Sequence, residues 1–214
     1  MEQTEANPWD RRYSGDTYIY GTRPNTWLTE ILSEPLPLDY PADTGRPLRA
    51  LEAAGGEGRN AVYLAERGFS VTAVDVSRVG TEKTLALAER RGVTVNAICA
   101  DALAWRPQTP FDLVVTTSFH VPENQKTALF RALDAAVRPG GVLIAEWFHP
   151  EQRTQGFTSG GPPYPEMMFT LDEIRRGLTR FTFERLEHTE KELREGPKHD
   201  GPASVVSVLA RKRV

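Results

Sequence analysis

From Leu48 onward, short apolar runs alternate with stretches whose apolar residues recur at helical spacing, the pattern of strand and helix in turn. Leu48 to Ala53 reads as a first strand. Arg59 to Arg67 reads as a helix with Ala61, Leu64 and Ala65 on one face, ended by Gly68. Val71–Val74 follows as a second strand, and a helix from about Val79 to Arg91 stops at Gly92. The third strand, Val93–Cys99, leads into Asp101. Phe111–Thr116 is a fourth strand whose continuous Leu113-Val114-Val115 run fits burial on both faces. Pro122 opens a helix carrying Leu129, Ala132, Leu133 and Ala136 at helical spacing. Arg138-Pro139-Gly140-Gly141 is a tight turn, and Val142–Trp147 is a fifth strand. Such alternation builds a parallel sheet covered by helices on both faces.

The end of the chain breaks the rhythm. Phe148 to Phe169 is irregular and rich in Gly and Pro, and a loop of that length inside a compact domain is usually functional. Thr170-Leu-Asp-Glu173 is a capping box that starts a short helix. Phe181–Thr189 and Ala203–Ala210 are strand-like and joined by a polar loop with Gly196, Pro197 and Gly201. With no helix between them they pair as an antiparallel hairpin. The predicted fold is α/β, a doubly wound seven-stranded sheet, mostly parallel, with a C-terminal antiparallel hairpin. We divide this single domain, 1–214, into an N-terminal lid or helical segment (1–47), a central core (48–147), and a loop with the hairpin (148–214).

Composition narrows the class. At 214 residues, 39% hydrophobic and 26% charged, the chain reads as one ordinary soluble domain. A net charge of −3 argues against a nucleic-acid partner, which calls for a basic surface. The basic Arg211-Lys212-Arg213 is too short to change that. No apolar run approaches the roughly 18 residues that span a membrane, so no membrane partner is expected. The polar, acidic N-terminus lacks the apolar segment of a signal peptide. The single cysteine, Cys99, lies in an apolar segment and reads as a small buried core residue; it also fits a reducing, cytoplasmic setting. The four histidines show no zinc-ligand spacing, and neither a nucleophile elbow nor a P-loop is present.

The candidate chemistry sits at the first strand's end, in Leu51-Glu52-Ala53-Ala54-Gly55-Gly56-Glu57-Gly58-Arg59-Asn60. A strand that ends in a glycine turn and opens a helix aims backbone N–H groups into a crevice. Asp75, 23 residues after Glu52 and closing the second strand, stands where a carboxylate can bind the two hydroxyls of a ribose. The chain is therefore built for an adenosine-bearing cofactor. Gly56-x-Gly58-x-x-Ala61 satisfies the dinucleotide pattern, which alone is weak. In another register, Glu52-x-Ala54-x-Gly56-x-Gly58 resembles motif I of class I S-adenosylmethionine methyltransferases. Ala54 replaces that motif's first glycine, a departure of one methyl group. A dinucleotide domain would repeat the strand–helix unit, whereas a terminal antiparallel hairpin is what the methyltransferase resemblance implies.

That resemblance extends beyond motif I. Trp9-Asp-Arg-Arg-Tyr13, Tyr20-Gly-Thr-Arg-Pro-Asn25, Glu57–Ala65, Arg138–Gly141, Gly160-Gly-Pro162 and His199-x-Gly201…Val208–Arg211 are similar to the tellurite-resistance and thiopurine branch of the family. The resemblance implies S-adenosyl-L-methionine as cofactor, held by Glu52, Ala54, Gly55, Gly56, Asn60, Asp75, Val76, Asp101, Ala102 and Thr117. Asp75 would take the ribose diol, Asp101 and Ala102 the adenine, Ala54–Gly56 the methionine part, and Thr117 the side near the sulfonium. Tyr13 and Tyr20, in polar Gly-containing sequence, either fold over the cofactor as a lid that excludes water or anchor the segment; Trp27, with Leu28 and Ile31, belongs to a helix's core face.

A hydroxyl or protonated amine acceptor needs a general base, and a thiolate does not. His199, in the expected hairpin loop, and His120, after the fourth strand, are the candidates, with His149 a third. In the tellurite branch a His at the position of His199 is often followed by Arg; here Asp200 follows, which argues against anion binding. The expected function is methyl transfer to a small-molecule acceptor with a sulfur, selenium, tellurium or nitrogen nucleophile. O-methylation of a secondary metabolite, a non-catalytic S-adenosylmethionine-binding protein, and a nicotinamide oxidoreductase are the alternatives. The acceptor pocket falls to segments 1–27, 148–169 and 190–203, which carry the least pattern.

Overall fold

The computed structural model describes residues 7–34, 36 and 46–214. The acidic first residues and part of the expected 1–47 segment lie outside the described residues. Two short helices open the chain, α1 (Pro8–Tyr13) and α2 (Thr26–Ile31), each started by an asparagine whose side chain accepts from the first turn. The alternating core follows as β1 (Arg49–Ala53), α3 (Arg59–Glu66), β2 (Ser70–Asp75), α4 (Arg78–Arg91), β3 (Val95–Cys99) and β4 (Phe111–Thr117). It continues through α5 (Lys126–Ala136), β5 (Val137–Phe148), α6 (Glu151–Thr154), α7 (Leu171–Gly177), β6 (Phe181–Gly196) and β7 (His199–Lys212).

The seven strands lie in the order β3-β2-β1-β4-β5-β7-β6. All pairs are parallel except those of β7, which runs antiparallel to both β5 and β6. One face packs Leu129, Phe130 and Leu133 of α5 and Ile174 of α7 against Val114, Leu143 and Val208. The other packs α2, α3 and α4 through Trp27, Leu64 and Leu87 against Leu113, Val115 and Ile144. The doubly wound sheet with its terminal hairpin is thus as expected, and Trp27 is core.

Several local expectations are corrected. Pro122 precedes a short 3-10 turn (Glu123–Gln125), and the α-helix begins only at Lys126. The Arg138–Gly141 turn interrupts a strand already started at Val137: Phe111 pairs with Val137, but Leu113 pairs with Val142, so the turn bulges out between them. The irregular segment contains α6. Cys99 is exposed rather than buried, because β3 is an edge strand and that position faces outward.

The largest correction is the hairpin. Its strands run to Gly196 and from His199, so the expected polar loop is itself paired strand, joined by a two-residue turn. Leu193 and Glu195 face inward there. With a carboxylate at one inward position, alternating charge reads as loop although the backbone is strand.

Candidate functional site

A cavity of about 320 Å³ opens at the C-terminal ends of β1, β2 and β4, where ligands bind in open α/β sheets. Every residue named from the sequence as a cofactor or catalytic candidate lines it, except His149.

On one side the wall is the turn after β1. Ala54 adopts φ 57°, Gly56 φ 57° and Gly58 φ 87°, all left-handed. The Ala54 departure therefore costs more than a methyl group's room, since an L-residue is disfavoured there by about 1–2 kcal/mol. Asp75 fastens this turn: its Oδ2 accepts from the Gly56 amide at 2.8 Å and its Oδ1 from Ser77 at 2.8 Å. Burial raises the Asp75 carboxyl, and those two hydrogen bonds oppose it. It does not cap α4; Ser77 does, accepting from Gly80. Glu52 is buried, and its Oε2 accepts from the Ala61 amide at 2.9 Å at the start of α3. Burial pushes its carboxyl up to about 7, only partly countered by hydrogen bonds from Asn60 and Ala61. Asp101 is exposed and accepts from Leu103 in a turn that starts no helix. Val76 and Ala102 complete this side, and Thr117 accepts from Asn60 Nδ2 at 3.0 Å.

The N-terminal segment forms the roof. Asp10 accepts from Ser77 Oγ at 2.6 Å and from the Val79 amide at 3.1 Å, pinning α1 to the start of α4. Tyr13 is buried with its hydroxyl over the glycine turn, where a Cβ on Gly56 would lie 3.0 Å from it. Ile19 then donates to Glu57 and accepts from Lys198 of the hairpin turn. Tyr20 stands 6.4 Å from Tyr13 and 4.5 Å from His199, ring centre to ring centre. Beyond it the chain crosses the hairpin tip at Gly21 and Gly196, whose backbones approach so closely that a Cβ on Gly21 would sit 2.1 Å from the Glu195 carbonyl.

The far end is built around His199, the first residue of β7 and buried between Tyr20 and Phe148. Among the described residues its Nδ1 has no hydrogen-bond partner; Glu195 Oε2 lies 3.6 Å away. Glu195 is paired with Arg59 at 2.8 Å and accepts from Asn25 Nδ2 and the Thr26 amide. Burial works to raise the Glu195 carboxyl, but His199 and the Arg59 guanidinium outweigh it and hold it at about 2. Burial, aided by the Arg59 charge, keeps His199 below the usual imidazole range against the pull of Glu195. In the neutral imidazole the anionic Glu195 favours the Nδ1–H tautomer, which puts the lone pair on Nε2.

The other histidines do not share that position. His120 lines the cavity, but its Nδ1 faces the Met167 carbonyl at 3.1 Å and its Nε2 accepts from the Phe148 amide at 3.2 Å. Burial lowers it to about 3. With both nitrogens occupied it positions backbone, which corrects its reading as a base. His149 is not among the cavity residues; it stacks on His188.

Sequence reasoning missed the residues that hold His199. Arg59 and Glu195 belong to a buried polar network in which Asn25 Nδ2 also donates to Glu146, the Asn25 backbone amide donates to Asn60 Oδ1, and Asn25 Oδ1 accepts from the Leu28 amide. Lys191 closes the network on Glu146 at 2.6 Å. The signal lay in the Tyr20–Asn25 and Glu57–Ala65 blocks of the resemblance, which contain Asn25 and Arg59, but nothing local linked them to Glu195. Phe119, Phe148 and Met167 give the cavity an apolar wall.

Comparison with known proteins agrees with this geometry. The methyltransferase domain family matches residues 50–141, from β1 into the start of β5, a stretch carrying the glycine turn, Glu52 and Asp75. Residues 50–141 thus match a methyltransferase domain. It is 32% identical over 135 residues to the tRNA 5-carboxymethoxyuridine methyltransferase of Escherichia coli (strain K12), a match covering 61% of this chain and 52% of the relative. The chain spans about half the length of the curated relatives it matches. Among solved structures, the protein described as converting a disulfide bond into a thioacetal group in echinomycin biosynthesis superposes with a TM-score of 0.65 at 21% identity, covering 96% of this chain and 90% of that one. TehB from Haemophilus influenzae gives 0.64 at 19% identity, covering 78% and 58%. At such identities these two likenesses speak for the fold.

Proposed function

We propose that this methyltransferase binds S-adenosylmethionine in the cavity and methylates a small molecule through a sulfur, selenium, tellurium or nitrogen nucleophile. The observation that carries the reading is one cavity with two strand-end acids, Glu52 and Asp75, at one end and a buried His199 at the other. The pocket's donor set fits such a cofactor: carboxylates for hydroxyl and ammonium groups, and aromatic rings for a sulfonium. When bound, the cofactor supplies an electrophilic methyl group.

The protein's part is to bind, orient and exclude water. Asp75 accepts from the ribose hydroxyls, and Asp101 with Ala102 contacts the adenine. The turn Ala54–Gly56 and Glu52 border the methionine part, beside Asn60 and Thr117. Tyr13 and Tyr20 close the roof as a lid, so that the acceptor meets the methyl group in line and away from water. His199, oriented by Glu195, takes a proton at Nε2 from an acceptor that carries one. An O-methyl acceptor would use the same base.

A nucleic-acid acceptor is the second reading, favoured by the name of the Escherichia coli relative; the net charge of −3 weighs against it. Methyl-transfer assays over a thiol, an amine, a phenol and a tRNA transcript separate these readings. His199→Ala is expected to lower turnover by about 10²–10⁴-fold on amine and phenol and far less on the thiol, which is already partly anionic. Turnover on tRNA alone would replace the small-molecule reading, and no turnover on any acceptor would leave a binding protein.

A further inference from the structure

We propose that His149, Glu151 and His188 form a divalent-metal site, best suited to zinc, which fastens the loop beside the cavity to the edge of the sheet. The three residues come from separate places: His149 follows β5, Glu151 begins α6, and His188 lies within edge strand β6, opposite Val206. One possible ligand atom from each lies within 4.8 Å of the other two.

Zinc bonds of about 2.0–2.2 Å to imidazole and carboxylate imply ligand separations of roughly 3.3–3.6 Å. His188 Nε2 and Glu151 Oε2 already stand 3.6 Å apart. Turning the His149 ring out of its stack on His188, now at 3.8 Å between centres, closes the rest. The bonds to be exchanged are few: Ser204 Oγ to His188 Nε2 at 2.8 Å, the Glu151 amide to His149 Nδ1 at 3.3 Å, and Gln155 to Glu151 Oε2 at 3.0 Å. Two imidazoles and one carboxylate are the donor set of open zinc sites, in which water takes the remaining position.

The location gives the ion a purpose. Gln152, next to Glu151, accepts from the Ser204 amide and donates to Ser159 and to the Gly160 carbonyl. Arg153 donates to the carbonyls of Phe157, Gly160, Gly161 and Pro162. The first turn of α6 thus holds the loop that brings Gly160 against the His199 ring. An ion tying Glu151 to β6 stiffens that loop from outside the cavity.

The test uses the whole chain, freed of metal with a chelator, titrated calorimetrically with zinc chloride and separately with cobalt(II) followed by visible absorption. One zinc per chain is expected, with visible cobalt bands of a nitrogen- and oxygen-ligated ion. His188→Ala and Glu151→Gln should each weaken binding by roughly tenfold or more and lose those bands. Glu151→Gln alters an exposed side chain almost isosterically, so it carries the test even if His188→Ala fails to fold. Absence of saturable zinc binding by the parent, or unchanged affinity in Glu151→Gln, overturns the proposal.

Discussion

The two ends of the cavity are made in different ways. The end with Glu52, Asp75 and Asp101 is assembled at the ends of β1, β2 and β3, three successive strands of the chain. The end with His199 is assembled from three distant segments: the N-terminal roof, the loop after β5 and the hairpin tip. One is held by backbone amides donating to carboxylates, as Gly56 does to Asp75 and Ala61 to Glu52. The other is held by a buried ionic network in which Arg59, Glu195 and Asn25 link three parts of the chain. The first arrangement follows wherever a strand–turn–helix unit folds; the second exists only once the whole molecule is assembled.

The strongest way to break this contrast is to fill the first end. Gly56→Val places a branched side chain at φ 57° and against the Tyr13 hydroxyl. It should abolish binding of S-adenosylhomocysteine while circular dichroism stays close to that of the parent. An unfolded variant would make the glycine a folding requirement instead.

The network of the second end should show itself in acid. The Glu195 carboxyl is depressed in the folded state, from an ordinary 4.5 to about 2. Its stabilisation is therefore complete above pH 4.5 and is lost as pH falls towards 2. A shift of that size corresponds to about 3 kcal/mol. Urea unfolding at pH 7, 4.5 and 3 should show this loss in the parent and a shallower slope in Glu195→Gln. Equal slopes would mean that Glu195 is not held by Arg59 and His199 as described.

A smaller effect belongs to the turn. Ala54→Gly relieves a left-handed alanine at a strain of about 1–2 kcal/mol, less the roughly 0.5–1 kcal/mol that glycine's freedom in the unfolded chain costs. The variant should be more stable by well under 2 kcal/mol, read as a raised denaturation midpoint. A lowered midpoint would show that the alanine methyl packs usefully.

The contrast also explains what could be read from the sequence. The alternation of strands and helices, the glycine turn and Asp75 were legible because periodicity and spacing are local properties; Asp101 was named from the resemblance. The capping box at Thr170 was legible for the same reason. The hairpin was legible only in its apolar half, because beyond Thr189 its inward positions include Glu195, whose partner Arg59 is far away in sequence. His199 could be named from the resemblance, but not the strand that carries it or the carboxylate that orients it. His120 looked equivalent to His199, and only the backbone groups at both its nitrogens separate them. Cys99 was misread because edge position in a sheet is a tertiary fact.

The division between the two ends is tested most directly by calorimetric titration of S-adenosylhomocysteine into the parent, Asp75→Ala and His199→Ala. Removing the charged acceptor of two ribose hydroxyls costs on the order of 1.5–3 kcal/mol, or about tenfold or more in affinity. The account predicts that loss in Asp75→Ala and an affinity close to the parent's in His199→Ala. Equal weakening in both variants, or full affinity in Asp75→Ala, would contradict it.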